Sequence, residues 1–309
     1  MAGGAPDSPA GTPLRYPAPL GALVALWRVL RVVVHLGHGI AVMALRFPAL
    51  DAAGRHERIR WWSAGLLRAI GVRLAVRGTP HPGATLLIAN HVSWLDIAAL
   101  HAAVPQARFV AKADIHRWPV LGWLVAGAGT LFIERERKRD ALRVVHAMAE
   151  ALQAGQTVAV FPEGTTGTGP DPLPFHANLL QAAIATATPI QPAVLRFHQP
   201  GQRFSAAAEF VGDTTLLQSV WRVATARALA VDVDLLLSQA TAHADRRALA
   251  STCARWWRGS CGAERPRRRA PAFRAGTASA GPAGPARPVS GGTGPGAALP
   301  ARPRRASSR

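Results

Sequence analysis

The chain of 309 residues has few thiols and few acidic side chains. Its only cysteines are Cys253 and Cys261, which excludes a small secreted domain held together by several disulfides and favours a reducing compartment. Acidic residues number 17 against 36 Lys and Arg, so the net charge is +19. This excess favours an anionic partner, either nucleic acid or acidic lipid, and composition alone does not choose between them.

Several short signatures of enzyme classes are also absent. There is no Gly-x-Ser-x-Gly sequence, so the nucleophile elbow of an α/β hydrolase is unsupported. Neither His-Glu-x-x-His nor paired cysteines occur, which argues against a hydrolytic metal site. A Gly-Lys-Ser/Thr loop for nucleotide phosphates is missing as well. We therefore expect no bound metal or cofactor.

The N-terminal region is the most apolar part of the chain. Residues 1–19 are rich in Gly, Ala, Pro and Ser and are expected to be flexible, whereas Leu20–Phe47 predicts a long helix. Its polar members, Arg28, Arg31, His35 and His38, fall within an arc of roughly 80°. One basic and one apolar face favour a helix lying in the membrane interface over a spanning one, because a central Arg is costly in hydrocarbon. A single span and an ordinary helix packed on the domain stay open.

The middle of the chain alternates short apolar runs with helical stretches, which predicts an α/β fold with a mostly parallel sheet flanked by helices. We divide the chain into four parts: a flexible N-terminus (1–19), a membrane-associated helical region (20–70), a single domain (71–259) and a disordered tail (260–309). Strands are expected at 74–77, 85–89, 108–112, 130–134, 157–161, 190–196 and 231–237. Helices are expected at 52–70, 94–104, 118–126, 140–154, 178–186 and 245–257. The residues from 262 onwards hold ten Arg and one Glu, so +9 of the +19 lies in the tail.

The first candidate constellation is His91 and Asp96. His91 directly follows the apolar run that ends at Ala89, and Asp96 falls in the first turn of the next predicted helix. At this spacing the carboxylate can reach one imidazole nitrogen and leave the other free to take a proton from a hydroxyl. A helix-capping Asp beside a chance His is the alternative interpretation of the spacing alone.

Two further groups follow predicted strands. Gly129 to Arg135 ends in a cation that could bind a phosphate or carboxylate, although a solvated charge run is the ordinary interpretation. The turn of Glu163, Gly164, Thr165 and Thr166 offers hydroxyl and amide donors to an anion. Together the three groups are more specific than any of them is alone.

The three groups, with a fourth, carry a resemblance. Asn90-His91 to Asp96, Gly129 to Arg135, Phe161 to Thr165 and Pro189 to Pro192 match, in order, the four blocks of the lysophosphatidic acid acyltransferase family of membrane phospholipid acyltransferases. The run that ends at Lys112 resembles the segment leading into the second block. Similarity extends from about residue 60 to residue 197.

This resemblance implies transfer of a fatty acyl group from acyl carrier protein or coenzyme A to the hydroxyl of a lysophospholipid, giving phosphatidic acid from 1-acyl-sn-glycerol-3-phosphate. His91 would be the general base and Asp96 its orienting partner. The residues expected to bind substrate are Arg135, Glu163, Gly164, Thr165, Thr166, Lys112 and Gly129. The apolar stretch 115–128 could line an acyl-chain groove or be simple core. The expected location is the cytoplasmic side of the inner membrane, held by a peripheral, monotopic or single-pass helix.

Two departures from the family pattern affect the acceptor. Thr166 stands where many relatives have Arg, and His176 stands where relatives often carry Lys. The loss of two cations keeps lyso-ornithine lipid open as an alternative acceptor. The alternative of another class is a basic membrane- or nucleic-acid-binding protein without catalysis, for which the tail is the main argument. Because basic tails are common, we expect lipid binding as an accessory property and no specific nucleic-acid partner.

Overall fold

The computed structural model describes residues 12–112, 121–133, 138–242 and 244–262. Seven strands and eight α-helices lie within these ranges. Their bounds are α1 Leu20–Leu45, α2 Ala52–Ile70, β1 Arg73–Arg77, β2 Thr85–Ala89, α3 Leu95–Ala103, β3 Arg108–Lys112, α4 Leu121–Gly127, β4 Leu131–Ile133, α5 Lys138–Gln153, β5 Thr157–Val160, α6 Gln181–Ala185, β6 Ile190–His198, α7 Leu216–Thr225, β7 Ala230–Leu235 and α8 Arg246–Gly262. Short 3-10 turns at Phe47–Ala49 and Ala177–Leu180 precede α2 and α6.

The strands form one sheet in the order β1-β7-β6-β2-β5-β3-β4. The five strands from β6 to β4 are mutually parallel, β7 is antiparallel to β6, and β1 is parallel to β7. The predicted α/β fold with a mostly parallel sheet is therefore confirmed. The sequence did not predict the reversal at β7, nor helix α7 before it.

The sheet separates two apolar layers, and the central strand β2 shows how. Leu87 and Ala89 belong to the cluster that also holds buried residues of α1, α2, α3 and α7. Leu86 and Ile88 belong to the cluster with α5, α6 and α8. All four side chains are buried, as expected for a strand covered on both faces. Residues at the carboxyl end of β2 are thereby fixed between two packed layers.

Helix α1 turns Arg28 and His35 of its polar arc towards the protein, whereas Arg31 and His38 of the same arc are exposed. Arg28 donates from Nη1 to the carbonyl oxygens of Ala224 and Ala226 at 2.8 and 2.7 Å, and Nε2 of His35 lies 2.8 Å from the carbonyl oxygen of Trp62. The opposite arc carries exposed apolar side chains, among them Leu23, Leu26 and Leu30. Among the described residues, α1 is the one helix long and apolar enough to cross a membrane.

The predicted divisions of the chain stay predictions, and two observations bear on them. Within the segment predicted to be flexible, Leu14 is held to the domain: its N–H donates to Gln199 at 3.2 Å, and its carbonyl oxygen accepts from the N–H of Arg227 at 2.9 Å. Helix α2 buries Leu67 and Ile70 in the same cluster as the sheet. Residues 1–11 and 263–309 lie outside the described residues.

Candidate active site

His91 and Asp96 meet at the carboxyl edge of the sheet. His91 follows β2, and Asp96 lies in the first turn of α3. Nδ1 of His91 is 2.8 Å from Oδ2 of Asp96, whose side chain is completely buried. The imidazole is 20% exposed. A buried carboxylate on Nδ1 selects the tautomer with its proton on that nitrogen, and Nε2 is then a hydrogen-bond acceptor.

Two backbone amides hold Asp96 in place. Its Oδ2 also accepts the N–H groups of Val92 at 2.6 Å and Ser93 at 2.8 Å. Because the loop between β2 and α3 wraps around this one oxygen, the carboxylate cannot turn away without leaving two buried donors unsatisfied. The short distance between His91 and Asp96 therefore depends on the conformation of the loop as well as on the two side chains.

Glu163 connects the third sequence block to the first. Its Oε1 accepts the N–H of His91 at 2.8 Å, and its Oε2 accepts the N–H of Leu173 at 2.9 Å. Burial raises the pKa of Glu163, while the two backbone hydrogen bonds oppose this rise. Both carboxylate oxygens accept backbone N–H groups, one of them that of His91, and the predicted contact of Glu163 with the substrate stays a prediction.

Phe161 and Asn90 also shape the site, and the sequence interpretation assigned no role to either. The ring of Phe161 stacks on the His91 imidazole, with centroids 4.0 Å apart and planes at 13°. The side chain of Asn90 donates to the carbonyl oxygen of Leu195 at 2.9 Å and accepts its N–H at 2.8 Å. Asn90 thereby fastens the His91 loop to β6. The one feature of the sequence that could have indicated these roles is that both residues lie close to His91 or Glu163 within the matched blocks.

The rest of the third block forms a turn above Glu163. Gly164 has φ +71°, and a Cβ there would lie 3.0 Å from the ring of His176. Thr165 is exposed. The Thr166 hydroxyl donates to the carbonyl oxygen of Phe210. The predicted role of Thr166 as a donor to the substrate stays a prediction, and in this structure its hydroxyl proton is used by Phe210. Gly164 and Thr165 lie at the accessible side of the turn.

The remaining predicted residues are distributed over both edges of the sheet. Lys112 ends β3 at the carboxyl edge that also carries His91. Gly129 precedes β4 and so lies at the opposite edge, where its carbonyl oxygen accepts Nε of Arg108 at 2.6 Å. Gly129, with φ +80°, is a turn residue after α4. Its predicted contact with the substrate stays a prediction that this position does not support. Arg135 lies outside the described residues.

An apolar cleft lies on the α1 side of the sheet. It is lined by residues of α1 and α2, by His101 of α3 and by Ala128 after α4. A row of rings connects it with the site: His101 contacts Phe109 at 4.7 Å between centroids, and Phe109 contacts Phe161 at 5.8 Å. Ala128 falls within the predicted groove 115–128, of which residues 113–120 lie outside the described residues.

The chain is similar in sequence to known acyltransferases. A family model described as Acyltransferase matches residues 73–196. A lyso-ornithine lipid O-acyltransferase of Pseudomonas aeruginosa is 35% identical over 222 residues, which cover 71% of this chain and 85% of that protein. A 1-acyl-sn-glycerol-3-phosphate acyltransferase of Neisseria meningitidis is 39% identical over 188 residues, covering 60% and 73%.

A solved structure agrees with the fold. The 1-acyl-sn-glycerophosphate acyltransferase of Thermotoga maritima superimposes with a TM-score of 0.61 at 18% identity, covering 79% of this chain and 95% of that one. Fold and sequence matches define the class of this protein, an α/β enzyme that transfers acyl groups. The chain belongs to the Acyltransferase family, as the four ordered blocks indicate.

Proposed function

We propose that the chain transfers a fatty acyl group from an acyl thioester, on coenzyme A or acyl carrier protein, to the free hydroxyl of 1-acyl-sn-glycerol-3-phosphate. The observation that carries the proposal is the contact of 2.8 Å between His91 Nδ1 and the buried Asp96 carboxylate, at the carboxyl edge where ligands of α/β sheets bind. Nε2 of His91 takes the hydroxyl proton as the acceptor oxygen attacks the thioester carbonyl carbon. The C–S bond then breaks, and the imidazolium returns the proton to the leaving thiolate.

Residues near His91 orient its side chain and bind the substrates. Phe161 and Glu163 hold the plane and the backbone of His91. Arg135 and Lys112 are the proposed cations for the acceptor's phosphate, because Lys112 ends β3 and pairs with Ile133, the last residue of β4, which Arg135 follows two positions later in the sequence. Thr165 and the backbone of Gly164 add neutral donors. The apolar cleft beside His101 supports a path for an acyl chain on the α1 side.

Membrane attachment belongs to the same proposal. The outward arc of α1 is apolar and Arg28 and His35 face the protein, whereas Arg31 near the centre of the helix is exposed. An exposed cation at this position favours a helix that lies in the interface, where the guanidinium can reach the head groups, over one that spans the bilayer. We propose that this arc lies in the cytoplasmic side of the inner membrane, where both substrates of the reaction are available. The basic tail adds only screened attraction to anionic lipid.

Lyso-ornithine lipid is the second candidate acceptor. Thr166 and His176 replace the cations that relatives often carry, and the hydroxyl of Thr166 is engaged by Phe210. A relative with 85% of its length covered is named for this acceptor. A zwitterionic head group needs fewer cations than a phosphate monoester, which is the physical argument in its favour.

A competition assay tests the proposal. Both lysolipids are offered in one vesicle preparation with acyl carrier protein or coenzyme A thioester, and the products are identified by mass spectrometry. We expect phosphatidic acid to dominate, its formation to be lost by about 10²–10⁴-fold in His91→Ala, and the exposed-histidine control His146→Ala to match wild type. A product pool dominated by acylated ornithine lipid would select the second candidate. Thioester loss without any acylated lipid would contradict both.

A further inference from the structure

Helix α7 has an exposed apolar face that the function described so far does not use. Leu217 is 79% exposed and Trp221 is 46% exposed, with Leu216 beside them. The polar residues Ser219 and Thr225 of the same helix are buried. The same helix buries Val223 and Ala224 in the core, as an ordinary surface helix does, but an ordinary surface helix is polar on its outer side. The outer face of α7 therefore resembles that of α1.

The two helices are joined. The guanidinium of Arg28 in α1 donates to the carbonyl oxygens of Ala224 and Ala226, at the carboxyl end of α7. Val29 and Val32 of α1 and Val220 of α7 pack on the same apolar cluster. The exposed apolar surface of α7 is thus adjacent to the α1 surface that we propose to lie in the membrane.

Helix α7 is also joined to the candidate active site. Nε1 of Trp94, which lies between His91 and Asp96 in the chain, donates to Oγ of Ser219 at 3.1 Å. The loop that precedes α7 is bound to the first block, since the N–H of Phe210 donates to the carbonyl oxygen of Val92 at 3.1 Å. On α3, the side chain of Ile97 next to Asp96 is exposed. Apolar side chains accordingly extend from α1, over α7, to the rim of the site.

We propose that the outer face of α7, formed by Leu216, Leu217 and Trp221, inserts into the surface of a phospholipid bilayer beside the active site. The lysolipid then reaches His91 sideways from the leaflet, with its chain in hydrocarbon throughout. Partly exposed Arg222 on the same helix suits the anionic head-group layer. Trp and Leu are side chains that favour this depth. The inference rests on the membrane attachment of α1 proposed above.

The first experiment reports depth at three positions. Leu217, Leu26 and Leu142 are replaced singly by Cys in a full-length background without Cys253 and Cys261, and each is labelled with an environment-sensitive fluorophore. Leu142 is the matched control, because it is an equally exposed leucine (74%) on α5 in the opposite layer. The labelled proteins are mixed with vesicles of phosphatidylethanolamine and phosphatidylglycerol that carry a quencher on the acyl chain.

We expect a blue shift and quenching at 217 and 26, and neither at 142. If the label at position 26 shifts and is quenched but the label at position 217 is unaffected, like the one at position 142, the inference is overturned and the attachment of α1 remains supported. Silence at all three positions would contradict the attachment itself. Equal responses at 217 and 142 would also overturn the inference, because contact would then not be specific to α7.

The second experiment uses kinetics. Two KM values are measured for Leu217→Gln: one for lysolipid in vesicles and one for a short-chain lysolipid dissolved as monomer. The ratio of the first to the second should rise about tenfold, because the variant withdraws apolar area from the bilayer. Leu142→Gln should leave this ratio as in wild type. If both KM values rise equally in Leu217→Gln, the side chain serves the fold and the inference is wrong.

Discussion

Replacing Asp96 by Asn separates charge from geometry at the candidate site. Oδ2 of Asp96 accepts Nδ1–H of His91 and the N–H groups of Val92 and Ser93. Both backbone amides need an acceptor at this point, so the carbonyl oxygen of Asn takes the place of Oδ2. The new NH₂ group takes the place of Oδ1, which has no hydrogen-bond partner among the described residues. The variant therefore keeps the three hydrogen bonds and loses the negative charge.

The expected loss follows from the attraction between this charge and the imidazolium that forms during proton transfer. At about 4 Å between charge centres and an effective dielectric constant of about 20, the attraction is about 4 kcal/mol. About 2 kcal/mol is lost if the imidazolium is half formed in the transition state, and about 4 kcal/mol if it is fully formed. Since about 1.4 kcal/mol is tenfold in rate, kcat should fall by a factor between about 30 and about 1,000.

The assay measures thiol release at saturating thioester and lysolipid, together with thermal unfolding. Asp96→Ala should destabilise the protein by about 2–6 kcal/mol, because two buried amides lose their acceptor, whereas Asp96→Asn should unfold close to wild type. Glu150→Gln is the matched control, since Glu150 lies 3.2 Å from His146 in an exposed pair on α5. If Asp96→Asn keeps kcat within about threefold of wild type, the electrostatic role of Asp96 is refuted.

Four further outcomes are expected. Burial lowers the pKa of His101 to about 4 in the folded protein. As the pH falls below about 6.5, the unfolded chain therefore binds this proton first, and the free energy of unfolding should drop by up to about 3 kcal/mol between pH 6.5 and 4. Urea titrations should show a smaller drop for His101→Phe. Gly164→Ala should lower stability by about 1–2 kcal/mol and impair turnover, because its φ is +71°, as calorimetry and kinetics can show. Leu23→Gln with Leu30→Gln should release the protein from vesicles in flotation assays, whereas high salt alone should not. Arg135→Lys should raise the KM for lysophosphatidate more than the KM for the thioester, because a bidentate contact becomes a point charge.

Strands and their order along the chain were predictable because continuous apolar runs are typical of strands covered on both faces. The pairing of His91 with Asp96 was predictable for a related reason: a short loop between a parallel strand and a helix leaves few positions for the side chains at its ends. Neither conclusion needs knowledge of distant parts of the chain.

What was missed depends on tertiary contacts. Helix α7 is short and carries apolar residues on both sides, Val223 and Ala224 buried and Leu217 and Trp221 exposed, so its pattern does not single out one buried face. The capping box of Thr215 and Gln218 was the local signal. Glu163 was expected at the substrate because the resemblance implies it, and its two amide partners, 72 and 10 residues away in the chain, could not be foreseen from its own turn. Gly129 was assigned to the substrate through the resemblance of its block, although a residue that precedes a parallel strand lies at the amino edge of the sheet, away from His91.

The attachment of Arg28 to the carbonyl oxygens of Ala224 and Ala226 links residues that are 196 and 198 positions apart in the chain. During synthesis, helix α1 leaves the ribosome long before its acceptors exist. Until residue 226 has been made, these two contacts cannot form, and α1 has only partners that are translated earlier, among them Trp62 of α2, whose carbonyl oxygen lies 2.8 Å from Nε2 of His35. The contact between α1 and α7 therefore forms late, when six of the seven strands have been translated. Folding accordingly joins the helix that is translated first to one of the last.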